Sequence, residues 1–288
     1  MRKIILSLVA IFLSATFVSA QTETPIPINS AADFAKIGVH QDYPLTGSYI
    51  QTADINLGTI TKSIGSVYYD IDNPDDVSGY FNGTYDGNGK TITCNANFNA
   101  NLEYDDYNGY ASYGLFGVNN GVIENLKVIA NNVSFQGAAL DLGLVCGCNL
   151  GEIFNCEVNG TISNGAKSTG LVAGSSIGEN SIIQNCIAVG SLNGTKFTGG
   201  IVGESEGTIK ACSFVGDIIS YGYGEPDDRG RIKYYAYVGG IAGQGTVISS
   251  YANPRITPPE TQMQYSGYYG MWQTVVCLVQ LLCLVVIV

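Results

Sequence analysis

The sequence predicts an all-β chain wound as a parallel β-helix, with one short capping helix near its start. Three observations point there. Glycine supplies 37 of 288 residues, against about 20 at average usage. Each Gly inside a helix costs about 1 kcal/mol relative to Ala, which disfavours a helical bundle. The middle of the chain repeats at an interval too short for a unit that could bury its own apolar face, so copies must stack. Within each repeat, short runs rich in Val, Ile, Phe and Thr alternate with Gly and Asn, the pattern of strands separated by turns.

Composition excludes several alternatives. No strict Gly-X-Y period appears, so the chain is not collagen. With 45% hydrophobic and 13% charged residues it is not disordered. Thirteen Lys and Arg face 24 Asp and Glu, a formal charge of -11. That balance argues against nucleic acid, whose phosphates need clustered cations.

In chain order, residues 1–20 (MRKIILSLVAIFLSATFVSA) read as a signal peptide: a basic start, an apolar run and a small-residue cleavage site. Residues 21–113 form a cap and lead-in coils. Ser30 is placed to N-cap a short helix over residues 31–37, with Asp33 as the capping-box acid and Gly38 as its left-handed end. Such a helix at the start of the stack covers an otherwise open edge.

Residues 114–252 hold the repeats. They read GLFGVNNGVIENLKV from Gly114, GLVCGCNLGEIFNCEV from Gly143, GLVAGSSIGENSIIQNCIAV from Gly170, GGIVGESEGTIKACSFV from Gly199 and GGIAGQGTVISSYA from Gly239. The anchoring glycines Gly117, Gly147, Gly174, Gly203 and Gly243 lie 30, 27, 29 and 40 residues apart. The long interval contains a polar insert, residues 221–231. Propeller blades need about 40–45 residues, too long for this period. One repeat per coil suits a parallel β-helix, with Gly expected at sharp corners that need positive φ and Asn favouring the same turns.

Residues 253–271 read as a linker. Residues 272–288 (WQTVVCLVQLLCLVVIV) carry no charge. As a helix they would span about 25 Å, short of a hydrocarbon core of about 30 Å. A membrane anchor, a truncated or frameshifted end, a cleaved lipid-anchor signal and a buried strand all fit the tail.

The Gly-Leu-hydrophobic-x-Gly segments resemble GLUG motifs. INSAADFAKIG, YIQTADINL and FNGTYDGNGKTI resemble the lead-in that precedes GLUG arrays. Such arrays occur in bacterial surface adhesins and N-terminal to immunoglobulin-A-cleaving metallopeptidases. The resemblance covers roughly residues 26–252, with five motifs. It implies a β-helix-like fold at the cell surface or secreted. It implies no catalytic residue here: the peptidase activity belongs to a zinc-binding His-Glu-x-x-His region, and His40 is the single His.

Candidate sites are few. Asp70, Asp72, Asp75 and Asp76 offer oxygen ligands suited to Ca²⁺, though without the EF-hand Gly and Glu, so a solvated loop competes. Cys156, Cys186 and Cys212 recur at equivalent positions and should stack on neighbouring coils, as buried small residues or as a bridged pair. Cys146 and Cys148 sit without the second pair or the His that a metal site needs. Tyrosines cluster at residues 104–113, 221–237 and 265–269. Within the insert, Tyr221, Tyr223, Tyr234, Tyr235 and Tyr237 are the ligand-binding candidates, because insertions project from one face of a solenoid. The functional expectation is an exported, non-catalytic, adhesin-like binding protein. Its partner would be a host or bacterial surface protein or a glycan, with no cofactor and no nucleic acid. Under the anchor reading the tail adds membrane contact. A fragment of a larger surface protein and a carbohydrate-active β-helix enzyme are the alternatives.

Overall fold

The structure, a computed structural model, describes residues 24–69, 73, 76–100, 110–137, 140–226, 232–257, 271–276 and 284–287. The proposed signal peptide lies outside the described residues, as do Asp70, Asp72 and Asp75 of the acidic loop. Almost everything described is strand or turn. The exception is helix α1, Ala31–Phe34. It is shorter than expected, but its cap is as predicted. Ser30 Oγ accepts the Asp33 amide, and Asp33 Oδ2 accepts the Ser30 hydroxyl at 2.8 Å. Phe34 is buried edge-on to Tyr85 and Phe116, so the helix closes the beginning of the stack. Gly38 does take positive φ, beyond a further turn.

The strands curl into three sheets, here A, B and C, nearly all parallel, and the chain visits them in turn. One circuit runs through Cys146–Asn149 and Glu152–Phe154 in sheet A, Glu157–Ile162 in sheet B and Ser168–Gly170 in sheet C. The next begins with Ala173–Ser176, paired in parallel to Cys146–Asn149. The result is an all-β, solenoid-like stack. In-register apolar side chains fill its interior. Tyr49, Tyr85, Ile123, Ile153, Ile183 and Ile209 form one such ladder, each fully buried. Burial contributes about 1.5–3 kcal/mol per large side chain, and the ladder carries that gain from coil to coil.

The aligned repeat positions are structural neighbours. Pairing of Cys146 with Phe116 and Ala173, of Ala173 with Val202, and of Val202 with Ala242 places Gly117, Gly147, Gly174, Gly203 and Gly243 in one column. Their role differs from the expected one. None of these five has positive φ. The left-handed corner lies between sheets A and B, at Asn125, Asn155, Asn185, Ala211 and Ser249, with φ of 52°, 53°, 55°, 52° and 49°. Asn tolerates this region better than most residues because its short amide bonds locally. Asn155 Nδ2 donates to Asn125 Oδ1 at 3.2 Å, and Asn125 Nδ2 to Asp86 Oδ1 at 3.0 Å. The motif glycines instead allow backbone to touch backbone. A Cβ on Gly147 would press into the Ser112–Tyr113 peptide, and one on Gly174 into the Leu142 nitrogen and Asp141.

A buried amide ladder marks the bend within sheet A. Asn119 Nδ2 donates to Asn149 Oδ1 at 2.8 Å, Asn149 Nδ2 to Ser176 Oγ at 3.2 Å, and Ser176 Oγ to Ser181 Oγ at 2.9 Å. Met271–Val276 adds parallel to Ile232–Gly239 in sheet C, and Leu284–Ile287 folds back antiparallel on it. The described parts of the apolar tail are therefore strands. Among the described residues, no helix is long and apolar enough to cross a membrane.

Candidate functional site

Two regions gather functional side chains. The first is the connection from sheet B to sheet C. Residues 101–109, 221–231 and 258–270 each join a strand of sheet B to one of sheet C. All three tyrosine clusters fall in or beside this same connection. In the insert, Tyr223–Pro226 pairs antiparallel with Ile232–Gly239, a hairpin on an otherwise parallel ladder. Its register sets Tyr223 opposite Tyr235 and Gly224 opposite Tyr234. Tyr221 is 55% exposed. Tyr237 stacks on Phe197, centroids 5.0 Å apart and planes at 23°, and the Lys196 ammonium stands 5.2 Å from the Phe197 centroid. Tyr221, Tyr223, Tyr234, Tyr235 and Tyr237 thus belong to one hairpin and its base. The side chains of Tyr223, Tyr234 and Tyr235 lie outside the description.

The second region is a notch where sheet C folds back onto the next strand of sheet A, with the motif glycines at its vertex. The outward row of sheet C runs Ser112, Asp141, Ser168, Phe197 and Tyr237, in register. Facing it, sheet A presents Val118, Cys148, Ser175, Glu204 and Gln244. Close approach of the two backbones seals the notch, so its polar groups leave water. Asp141 is only 6% exposed. Ser112 Oγ donates to Asp141 Oδ2 at 2.8 Å. Burial pushes the Asp141 carboxyl up to about 6, opposed by the hydroxyls of Ser112, Ser175 and Ser168 and reinforced by the charge of Glu204. Glu204 is itself raised by burial, with Lys167 and Lys196 pulling it back. Ser168 also favours the charged form of Glu204.

Asp141 escapes a reading of the sequence because it stands alone between apolar residues in GAALDLGL. A usable signal exists: Ser112, Asp141, Ser168, Phe197 and Tyr237 all sit two positions before the first motif glycine. Of the residues singled out from sequence, only Tyr237 shares this row. Cys156, Cys186 and Cys212 do stack and are buried free thiols. Contact with a neighbouring thiol, Cys156 for Cys186 and Cys186 for Cys212, joins burial in pushing both well above the ordinary thiol range. Such thiols are poor nucleophiles. Cys146 packs in the main core, whereas Cys148 lies in a satellite cluster with Tyr80 and Val118. Among the described residues, no three His, Cys, Asp or Glu side chains converge as a metal-binding group.

No family model matches the chain. It is 34% identical over 155 residues to halomucin of Haloquadratum walsbyi, an alignment covering 52% of this chain and 2% of that protein. The chain therefore spans a small part of that relative's length. A solved structure from Bacteroides ovatus, provisionally assigned as an immunoglobulin A1 protease, superposes with a TM-score of 0.49 at 17% identity. The superposition covers 88% of this chain and 85% of that one.

Proposed function

We propose that the chain is an exported, non-catalytic binding protein of adhesin type, at the cell surface or secreted. In this reading a GLUG-type β-helix presents a tyrosine-rich edge to a surface protein or a glycan. The observation that carries it is the coincidence of three tyrosine clusters with the same sheet-B-to-sheet-C connection on different coils. Tyrosine offers a large apolar body with a polar tip, the chemistry enriched at interfaces. A rigid stack holding such residues along one edge lowers the entropy lost on binding. Similarity to a stretch of halomucin, a mucin by name, supports an extracellular setting. It also supports the view that coils of this kind serve as modules of larger surface proteins.

The test replaces residues 221–231 with a short Gly-Ser turn and measures adherence to cells and to a glycan array. The proposal predicts unchanged folding and reduced adherence. Full adherence by the shortened chain contradicts the role of the insert, and depolymerisation of any polysaccharide by purified protein would replace this reading with an enzymatic one.

A further inference from the structure

A recess lies away from both the tyrosine edge and the notch, at the left-handed corner between sheets A and B. It is an open cleft of about 260 Å³. It stands at the opposite end of the sheet-B strands from the tyrosine-rich connection. Three successive coils build it, because Asp86 pairs with Glu124, Glu124 with Phe154, and Lys127 with Glu157. Asn88, Asn125 and Asn155 line it, with left-handed φ of 50°, 52° and 53°. Each of the three coils therefore contributes an amide, and neighbouring coils stand about 4.8 Å apart. Hydrogen bonds hold these groups in place. Asp86 Oδ1 accepts the Asn88 backbone amide at 2.7 Å and Asn125 Nδ2 at 3.0 Å. Asn125 Oδ1 accepts Asn155 Nδ2 at 3.2 Å, and Asn88 Nδ2 donates to the Gln51 carbonyl at 3.3 Å. Lys127 Nζ lies 3.1 Å from Glu157 Oε2. Among the described residues, the second carboxylate oxygens of Asp86 and Glu157 and the side-chain carbonyls of Asn88 and Asn155 accept no hydrogen bond. Four acceptors are thus held at fixed positions and left open to a ligand.

The lining excludes most ligand classes. Among the described residues it holds no apolar side chain, so it offers nothing to a lipid or an apolar peptide. The Lys127 ammonium repels a metal ion, and the Asp86 and Glu157 carboxylates repel phosphate or sulfate. What fits is an uncharged molecule rich in hydroxyls, which donate to carboxylates and carbonyls and accept from an ammonium. We infer that the cleft is a glycan-binding site for neutral sugar residues. Its open oxygens take the sugar hydroxyl protons, and Lys127 donates to a sugar oxygen. Side chains already fixed by their own hydrogen bonds lose little entropy on binding. The corner continues through Asn185 on the next coil, with φ of 55°, so an extended chain lying along the stack meets a further amide. This site is separate from the tyrosine edge, and neither requires the other.

The experiment measures binding of the full chain to immobilised mannan, β-glucan, galactan and xylan by biolayer interferometry, with polygalacturonate as the acidic comparator. Four proteins are compared: wild type, the double variant Asn88→Gly, Asn155→Gly, the control Asn159→Ala, and the chain with residues 221–231 shortened. Glycine keeps the left-handed backbone while removing both amides. Asn159→Ala removes an exposed amide on the outer face of sheet B. The inference predicts that at least one neutral polysaccharide captures the wild type and that polygalacturonate does not. Capture should weaken about tenfold in the double variant and stay intact in Asn159→Ala and in the shortened chain. The last arm separates this site from the tyrosine edge, whose failure would leave sugar capture untouched. Absence of capture by all four neutral polysaccharides overturns the inference. So does capture unchanged in the double variant, or stronger capture by polygalacturonate. Should the double variant fail to fold, Glu157→Ala at an exposed strand position decides instead: weakened capture supports the cleft, and unchanged capture rejects it.

Discussion

Glycine and asparagine divide the labour of turning the chain, and each makes its own prediction. Gly174 touches sheet C where no Cβ fits. Gly174→Ala should therefore lose about 3 kcal/mol, read by urea denaturation. Asn155 holds a φ of 53°. Asn155→Gly should stay within a few tenths of a kcal/mol, whereas Asn155→Ala should lose about 1–2 kcal/mol. The repeated Asn before Leu126, Cys156 and Cys186 is visible in the sequence, but spacing alone does not separate a residue that needs positive φ from one that must lack a side chain. Both leave a small residue at a fixed interval. Asp141 gives a pH prediction. Burial pushes its carboxyl up to about 6, above the ordinary aspartate value of 3.8, so the folded chain holds this proton more tightly than the unfolded one. Its stabilising contribution is complete below about pH 4 and is lost as pH rises through 6. The change is on the order of 3 kcal/mol. Asp141→Asn should flatten that dependence and raise stability at neutral pH; an unchanged pH profile would show that Asp141 is not the titrating group.

At the scale of elements, the strand Tyr223–Pro226 is an addition to the stack rather than one of its layers, since it pairs with Ile232–Gly239 off the path of sheet C. Shortening residues 221–231 should therefore shift the thermal midpoint by no more than about 2 °C, a change within the range of ordinary surface substitutions. A loss of cooperative unfolding would instead make the hairpin part of the core. The insert was legible as a break in the 27–30-residue interval. Its antiparallel pairing was not, because the strand that receives it also serves the parallel ladder. Helix α1 was legible from Ser30 and Asp33, while after its end at Phe34 the chain passes to tighter turns, with Lys36 N–H bonded to the Asp33 carbonyl and Ile37 N–H to that of Phe34, a change the capping residues do not announce. At the far end, the last strand of sheet B, Tyr251–Thr257, carries Pro254. Proline removes a ladder donor and is tolerated where a strand is an edge, so the same fold discourages sheet-to-sheet association there.

Over the whole molecule, stacking of short coils explains the features that first set the sequence apart. Glycines line the vertex where sheets C and A meet, asparagines line the left-handed corner, and acidic or polar residues are left for the outside and the notch. The order of coils was readable because each repeats the same small code; the depth of the notch was not, since it arises only when two backbones from different coils meet. The central claim is that residues about 30 apart in sequence lie side by side on successive coils. Thr161 and Ser191 test it most directly: they pair in register on the outer face of sheet B, with Ser191 Oγ 3.4 Å from Thr161 Oγ1. Neighbouring parallel strands run about 4.8 Å apart, within disulfide reach. The measurement is peptide mapping after mild oxidation of a Thr161→Cys, Ser191→Cys chain, beside a Thr161→Cys, Asp217→Cys control two coils apart. The stacked-coil account predicts an intramolecular disulfide in the first and none in the second; a crosslink only in the second, or none in either, would contradict it.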